Sequence, residues 1–162
     1  MDLKVVDLEP HLGALAGTPL ATEAGISGDS LKTWLAENRV IKLASLAGEF
    51  VGFAYGLADG GDLGVFVLGT LRGKGIGTAL AKAALAESFD VRGLNCVRIK
   101  TREEQSAGGH SLLRSLVEGG VPAKETGRST DPDGKKQIHW EIRASDWPSQ
   151  KRFPVGHAFA DY

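Results

Sequence analysis

The segment from Arg72 to Gly77 combines three glycines with two cations, a combination that suits the binding of an anion. Glycine lets the backbone approach a ligand closely because it has no Cβ atom, and it tolerates positive φ angles. An apolar run, 63–68, precedes the segment, and an alanine-rich run, 78–86, follows it. The first N–H groups of a helix have no partner inside that helix, and its dipole favours negative charge there. We therefore predict a strand, a phosphate-binding turn and a helix.

The spacing of the glycines excludes two familiar phosphate-binding loops. A Walker loop has four residues between its first glycine and Gly-Lys, followed by Ser or Thr. Here three residues separate Gly69 from Gly73, and Gly75 follows Lys74. The dinucleotide fingerprint G-x-G-x-x-G fails because Thr78 stands where its third glycine is required.

The pattern R-x-x-G-x-G, followed by a small residue, resembles the acyl-CoA-binding motif of the GNAT superfamily of N-acetyltransferases. The resemblance implies that the backbone of Val65, Phe66 and Val67 holds the pantetheine and acetyl end of acetyl-CoA. It also implies that a second group of residues holds the pyrophosphate, namely Arg72, Gly73, Lys74, Gly75, Ile76, Gly77 and Thr78. In place of an asparagine that the family usually has before its fourth helix, Gln105 or Ser106 would contact the pantetheine. Gly69 stands where the family often has proline.

The order of predicted elements agrees with this family. Alternating and apolar runs, separated by turns such as 47–49 and 59–62, predict the order β-α-α-β-β-β-α-β-α-β-β. The resemblance implies an α/β (α+β) fold, a GNAT-like single domain with a mixed central sheet of six to seven strands and about four flanking helices. We predict this domain over residues 1–147 and a C-terminal extension over 148–162. The clearest early helix is predicted to begin with Asp29 or Ser30 as its N-cap.

Composition argues against several other classes of protein. The 162 residues carry a net charge of −1 with scattered Lys and Arg, so we expect no nucleic-acid partner. Cys96 is the only cysteine, which excludes a disulfide framework and a cysteine zinc site, and we predict no metal. No apolar stretch approaches the ~20 residues needed to span a bilayer, and the N-terminus lacks the apolar core of a secretion signal. We therefore expect a cytoplasmic protein without a membrane partner.

The implied reaction is direct attack of a primary amine on acetyl-CoA in a ternary complex. It needs a proton acceptor for the amine and a proton donor for the departing thiolate. Glu103 and Glu104, just after the fifth predicted strand, are the candidate acceptors. Other candidates for this role are His110, Asp59 and Asp62. The family's tyrosine on the fourth helix is missing from 110–116, because the only tyrosines are Tyr55 and Tyr162. We therefore assign no tyrosine general acid.

Three hypotheses remain open at the level of sequence. The first is an N-acetyltransferase acting on a small-molecule amine or a protein amine; many members are dimers, so a homodimer is allowed. The second, motivated by the missing tyrosine, is a GNAT-fold acyl-CoA-binding protein with little catalysis. The third is a nucleotide-binding α/β protein in which the glycine loop is coincidental.

Overall fold

The computed structural model describes residues 2–15, 17–37, 39–102 and 109–148. Within these ranges the strands are β1 (Leu3–Asp7), β2 (Val40–Leu46), β3 (Glu49–Gly56), β4 (Gly64–Val67), β5 (Cys96–Arg102), β6 (Ala123–Thr130) and β7 (Lys136–Arg143). The α-helices are α1 (Leu12–Leu15), α2 (Pro19–Ala24), α3 (Gly28–Ala36), α4 (Ile76–Ala86) and α5 (Gly109–Glu118). Short 3-10 turns lie at Glu9–His11, Gly69–Leu71 and Ala144–Asp146, and a π-helical turn at Glu87–Val91 continues α4.

The strands form two antiparallel sheets, in the orders β1-β2-β3-β4 and β5-β7-β6. The predicted α+β fold with its strands and flanking helices is observed, and the predicted central sheet is divided between β4 and β5. Two backbone hydrogen bonds join the sheets where these strands begin. Leu63 N–H donates to the Arg98 carbonyl at 2.8 Å, and Arg98 N–H donates to the Gly60 carbonyl at 2.9 Å. Beyond this junction no strand pairing links β4 to β5 in the described residues, so the edge of β4 is free.

Each face of the first sheet packs on a different set of helices. Because successive strand side chains point to opposite faces, Val40 and Ala44 of β2 join a core cluster with α4 and α5. Ile41 and Leu43 join a second cluster, which lies beneath α1, α2 and α3. This second cluster contains no residue of β5, β6 or β7. The early helices therefore cover the β1–β4 sheet only, as far as the described residues show.

The early helical region differs from its prediction in two details. It contains three short helices rather than two, because Thr18 and Pro19 start α2 and Gly25, with φ of 71°, ends it. The hydroxyl of Thr18 accepts the N–H of Ala21 at 3.2 Å. The predicted N-cap of α3 is wrong, since the hydroxyl of Ser27 accepts the N–H of Ser30 at 3.1 Å.

Lys42 of β2 is the centre of a partly buried ion-pair network. Its ammonium contacts Asp7 and, at 2.7 Å, Glu87, which also binds Arg92 at 3.0 Å. Burial disfavours the ammonium, but the hydrogen bonds and charges of Asp7 and Glu87 outweigh it, so the pKa of Lys42 is raised.

The raised pKa predicts a pH-dependent contribution to stability. A raised pKa stabilises the native state fully below lysine's ordinary pKa of about 10.4, and this contribution is lost as pH rises through the higher native value. We expect Lys42→Met to lower the free energy of unfolding by roughly 1 to 2 kcal/mol at neutral pH. Urea unfolding of both proteins should show a constant difference from about pH 6 to 9 and a smaller one above about pH 10.4. A difference that persists undiminished at the most alkaline pH would contradict this assignment.

Candidate functional site

The glycine-rich segment forms an exposed loop between β4 and α4. Gly73 and Gly75 have φ angles of 81° and 84°, values that L side chains rarely adopt. Gly75 is the N-cap of α4 and provides no side-chain cap, whereas the next residue, Ile76, is buried and anchors the helix. A Cβ atom at Gly73 or Gly75 would meet no atom within 4 Å. The loop is therefore a turn that favours glycine and lies beside open space.

Backbone donors at this loop are available to a ligand. The first N–H of α4 to bond within the chain is that of Ala79, which donates to the Gly75 carbonyl at 3.1 Å. The preceding N–H groups, from Ile76 to Thr78, lie in the first helical turn and have no acceptor among the described residues. A helix N-terminus with free donors and positive charge nearby favours an anion. The predicted strand, turn and helix are thus observed, and the turn has the geometry of an anion site.

Arg72 links the glycine-rich loop to β4 through a hydrogen bond and a ring contact. Its Nε donates to the Val67 carbonyl at 3.0 Å, and its guanidinium carbon lies 5.5 Å from the centre of the Phe66 ring. This distance is within the range of a cation–π interaction. The side chain is still 59% exposed, so the guanidinium is accessible at the rim of the loop.

A carboxylate from α2 also holds the loop, and sequence reasoning missed it. Oε2 of Glu23 accepts the N–H of Gly69 at 2.9 Å and lies 3.9 Å from the Arg72 guanidinium. Proline, which the family often has at this position, has no N–H to donate. Glycine at position 69 leaves an N–H that a side chain can bind, so this departure from proline was the available signal.

The free edge of β4 presents main-chain groups toward β5. Phe66 lies opposite Phe53 of β3, and Leu68 N–H donates to the Val51 carbonyl at 2.9 Å. Because the ladder bonds of an antiparallel pair alternate, Phe66 is paired with β3, and the N–H and C=O groups of Val65 and Val67 point the other way. Of the predicted positions Val65, Phe66 and Val67, only Val65 and Val67 therefore have backbone groups on the free edge. The carbonyl of Val67 accepts from Arg72, which leaves its N–H and both groups of Val65 without a partner among the described residues.

The predicted catalytic and pantetheine-contacting residues Glu103, Glu104, Gln105 and Ser106 lie outside the described residues and stay predictions. Two of the other candidates for the proton acceptor have structural roles. Oδ1 of Asp59 accepts the N–H of Gly61 at 2.9 Å within the β3–β4 turn, and Asp62 pairs with Lys100 at 3.1 Å.

Tyr55 packs on the side of the sheet opposite to α4 and α5. Its ring stacks on Trp34 at 5.1 Å and lies across Gly64, where a Cβ would come within 2.8 Å of the ring. Gly64 is thus required for this packing. Tyr55 lies in β3 and not in α5, the helix on which the family usually has its tyrosine. Among the described residues no three His, Cys, Asp or Glu side chains are placed to share a metal ion. A helix with the length and apolarity to cross a bilayer is also not found in the described ranges.

Comparisons with known proteins agree with this geometry. Residues 18–115 match the profile of the Acetyltransferase (GNAT) family, and among curated proteins none matches the sequence significantly. An acetyltransferase of the GNAT family from Streptococcus pneumoniae has a similar structure, with a TM-score of 0.68 at 16% identity over 88% of this chain and 99% of that chain.

Two other solved structures show the same fold. The ribosomal-protein-S18-alanine N-acetyltransferase from Escherichia coli has a TM-score of 0.64 at 18% identity, over 88% of this chain and 94% of that one. Spermidine N-acetyltransferase from Vibrio cholerae, solved with CoA and spermine, has a TM-score of 0.64 at 14% identity, over 89% of this chain and 96% of that one. At such identities the likeness concerns the fold alone. The family profile covers more than half of the sequence, and the chain belongs to the acetyltransferase (GNAT) family.

Proposed function

We propose that this protein is an acetyl-CoA-dependent N-acetyltransferase that acts in the cytoplasm on a primary amine, by direct attack in a ternary complex. One observation carries the proposal: the open glycine loop, with its free N–H groups, adjoins the unpaired edge of β4. We place the acetyltransferase domain at 1–147 and treat 148–162 as an extension. The acceptor is a small-molecule amine or a protein amine, and a homodimer is compatible with the family.

The described residues fit acetyl-CoA in both charge and space. The N–H groups from Gly73 to Thr78 would hold the pyrophosphate, because no Cβ blocks Gly73 or Gly75 and the first turn of α4 has free donors. The cationic side chains of Arg72 and Lys74 would add charge at the same place. The free backbone groups of Val65 would pair with the pantetheine arm, the N–H of Val67 would face its acetyl end, and Gln105 or Ser106 is proposed to contact the arm as well.

Bound acetyl-CoA would supply an acetyl thioester whose carbonyl carbon is open to an amine. The role of the chain is to position that carbonyl and to move protons. The N–H of Val67 faces the β5 side and can donate to the thioester carbonyl oxygen, the atom on which negative charge develops. Glu103 or Glu104 is proposed to accept the proton of the incoming ammonium.

Calorimetric titration with acetyl-CoA and with CoA, followed by an assay of released thiol with a panel of primary amines, tests the proposal. We expect micromolar binding and turnover of at least one class of amine. Binding without turnover of any amine would favour an acyl-CoA-binding protein instead. Thermal stabilisation by NAD or ATP but not by CoA would favour the nucleotide-binding alternative.

A further inference from the structure

A groove of about 450 Å³ lies on the face of the β5–β7–β6 sheet that points away from α4 and α5. Val97 and Ile99 of β5 point into the core, so Arg98 and Lys100 point into the groove. The β3–β4 turn forms one wall with Asp62, and β6 forms the other. The helices on this side of the molecule are α1, α2 and α3, and the core cluster beneath them contains no residue of β5, β6 or β7. No described helix therefore covers the groove.

This face carries an excess of positive charge. Among the described side chains, register and ion pairs place four cations and three carboxylates on this surface: Arg98, Lys100, Lys124 and Arg143 against Asp62, Glu141 and Asp146, which lies 4.0 Å from Lys124. The whole chain has a net charge of −1, so the excess is local. A positively charged concave surface favours an anionic ligand and disfavours a polycation.

Arg98 is the cation that remains available inside the groove. Lys100 pairs with Asp62 at 3.1 Å, and Glu141, which lies opposite Arg98 in the register, binds Arg143 at 2.8 Å instead. Arg98 itself makes no ion pair with any residue in the described ranges, and its side chain is exposed. A guanidinium binds a carboxylate through two parallel hydrogen bonds, which makes it selective for that group.

The junction between the sheets gives the distance from Arg98 to the proposed position of the thioester. Leu63 is bonded to Arg98 and therefore lies at the same level along the strands. Val67, whose N–H is proposed to bind the thioester carbonyl, lies four residues further along β4, a rise of about 13 Å at about 3.3 Å per residue. An acceptor amine at that level of β4 would thus be about 13 Å along the strands from an anion at Arg98.

We propose that the groove binds a carboxylate of the acceptor, held by Arg98 about 13 Å from the amine that receives the acetyl group. The inference rests on the proposed function and names its substrate class: amines that carry a distant carboxylate, such as the N-terminus of a short peptide, rather than polyamines. Arg98 would determine specificity, and its loss should raise KM for such acceptors with little change in kcat, because it contacts a part of the acceptor that does not react.

The test compares alanyl-alanyl-alanyl-alanine with its C-terminal amide, a probe of the same length whose C-terminus is neutral. An extended tetrapeptide places its carboxylate about 13 Å from its amine. We expect wild-type kcat/KM to be roughly fivefold to tenfold higher for the acid, as an exposed charge-assisted contact allows. Arg98→Gln should bring the ratio to about one, whereas Lys4→Gln, which removes one positive charge from β1 in the other sheet, should keep it.

The possible failures are distinguishable. Three results would overturn the carboxylate site and leave the cofactor site standing, provided that acetyl-CoA still binds. They are equal rates for the acid and the amide, a faster reaction of spermidine than of the peptides, and no reaction of either peptide. If acetyl-CoA does not bind, the proposed function fails. The carboxylate site is then tested separately, by adding the peptide acid alone and recording the amide NMR signals of Gly61 and Gly127. These signals should shift in the wild type and not in Arg98→Gln. Any other result overturns the carboxylate site as well.

Discussion

Glutamate in place of Gly75 should abolish measurable acetyl-CoA binding, with Kd raised at least about a hundredfold, because it brings negative charge to an anion site built from backbone donors. The new carboxylate would occupy the open space beside the N-terminus of α4 and repel the pyrophosphate. The φ of 84° adds strain of roughly 1 to 2 kcal/mol for a residue with a Cβ atom. Calorimetric titration with acetyl-CoA measures the loss, and urea unfolding shows that the variant is folded.

Gly93→Glu is the matched control for this prediction. Gly93 also has a positive φ, 67°, and a Cβ there would meet no atom within 4 Å. It follows the π-helical turn that ends α4, so it lies at the opposite end of that helix from Gly75. We expect a similar loss of stability with unchanged acetyl-CoA affinity. Equal affinities of the two variants for acetyl-CoA would contradict the assignment of the loop.

Gly60→Ala should destabilise the protein by more than about 3 kcal/mol, or prevent folding, because the added methyl group meets backbone rather than a movable side chain. A Cβ at Gly60 would lie 2.0 Å from the Cys96 carbonyl oxygen. Relief of this clash requires the β3–β4 turn to move away from β5, which breaks the bond between the Gly60 carbonyl and Arg98. Urea unfolding monitored by circular dichroism measures the effect.

Gly48→Ala separates the clash from the backbone strain. Gly48, in the β2–β3 turn, has a φ of 85°, almost equal to the 86° of Gly60, and no atom lies within 4 Å of its Cβ position. Its replacement should therefore cost only the strain, about 1 to 2 kcal/mol. An equal loss of stability in Gly60→Ala and Gly48→Ala would contradict the prediction, because it would show that the close approach of Gly60 to β5 is not the reason for glycine at position 60.

The glycine loop was predictable because its determinants are local. An apolar run, glycines at fixed spacing and a helix are all contained within 63–86, and each follows from short-range rules of backbone conformation. The contact between Glu23 and Gly69 spans 46 residues, and no sequence periodicity encodes a contact of that kind. The Ser27 cap was missed for a different reason: three residues that can cap a helix, Ser27, Asp29 and Ser30, lie within four positions and compete to begin α3.

The groove around Arg98 could not be derived from the sequence because it depends on register. Alternation within β5 separates Arg98 and Lys100 from Val97 and Ile99, and this much is local. Which charges of β6 and β7 share that surface is decided by pairing, including the register shift between Glu125 and Gly127. A slip of one residue would move those charges to the other face.

The junction at Gly60, Leu63 and Arg98 also bears on how the chain opens. Native proteins open in cooperative units of unequal stability, and here the two sheets are linked along their strands by only two described backbone bonds. The amide protons of Leu63 and Arg98 therefore act as reporters of the separation of the two sheets, distinct from the unfolding of either. Any molecule that bridges β4 and β5 would slow the hydrogen exchange of this pair, so these two amides also test the position proposed for acetyl-CoA.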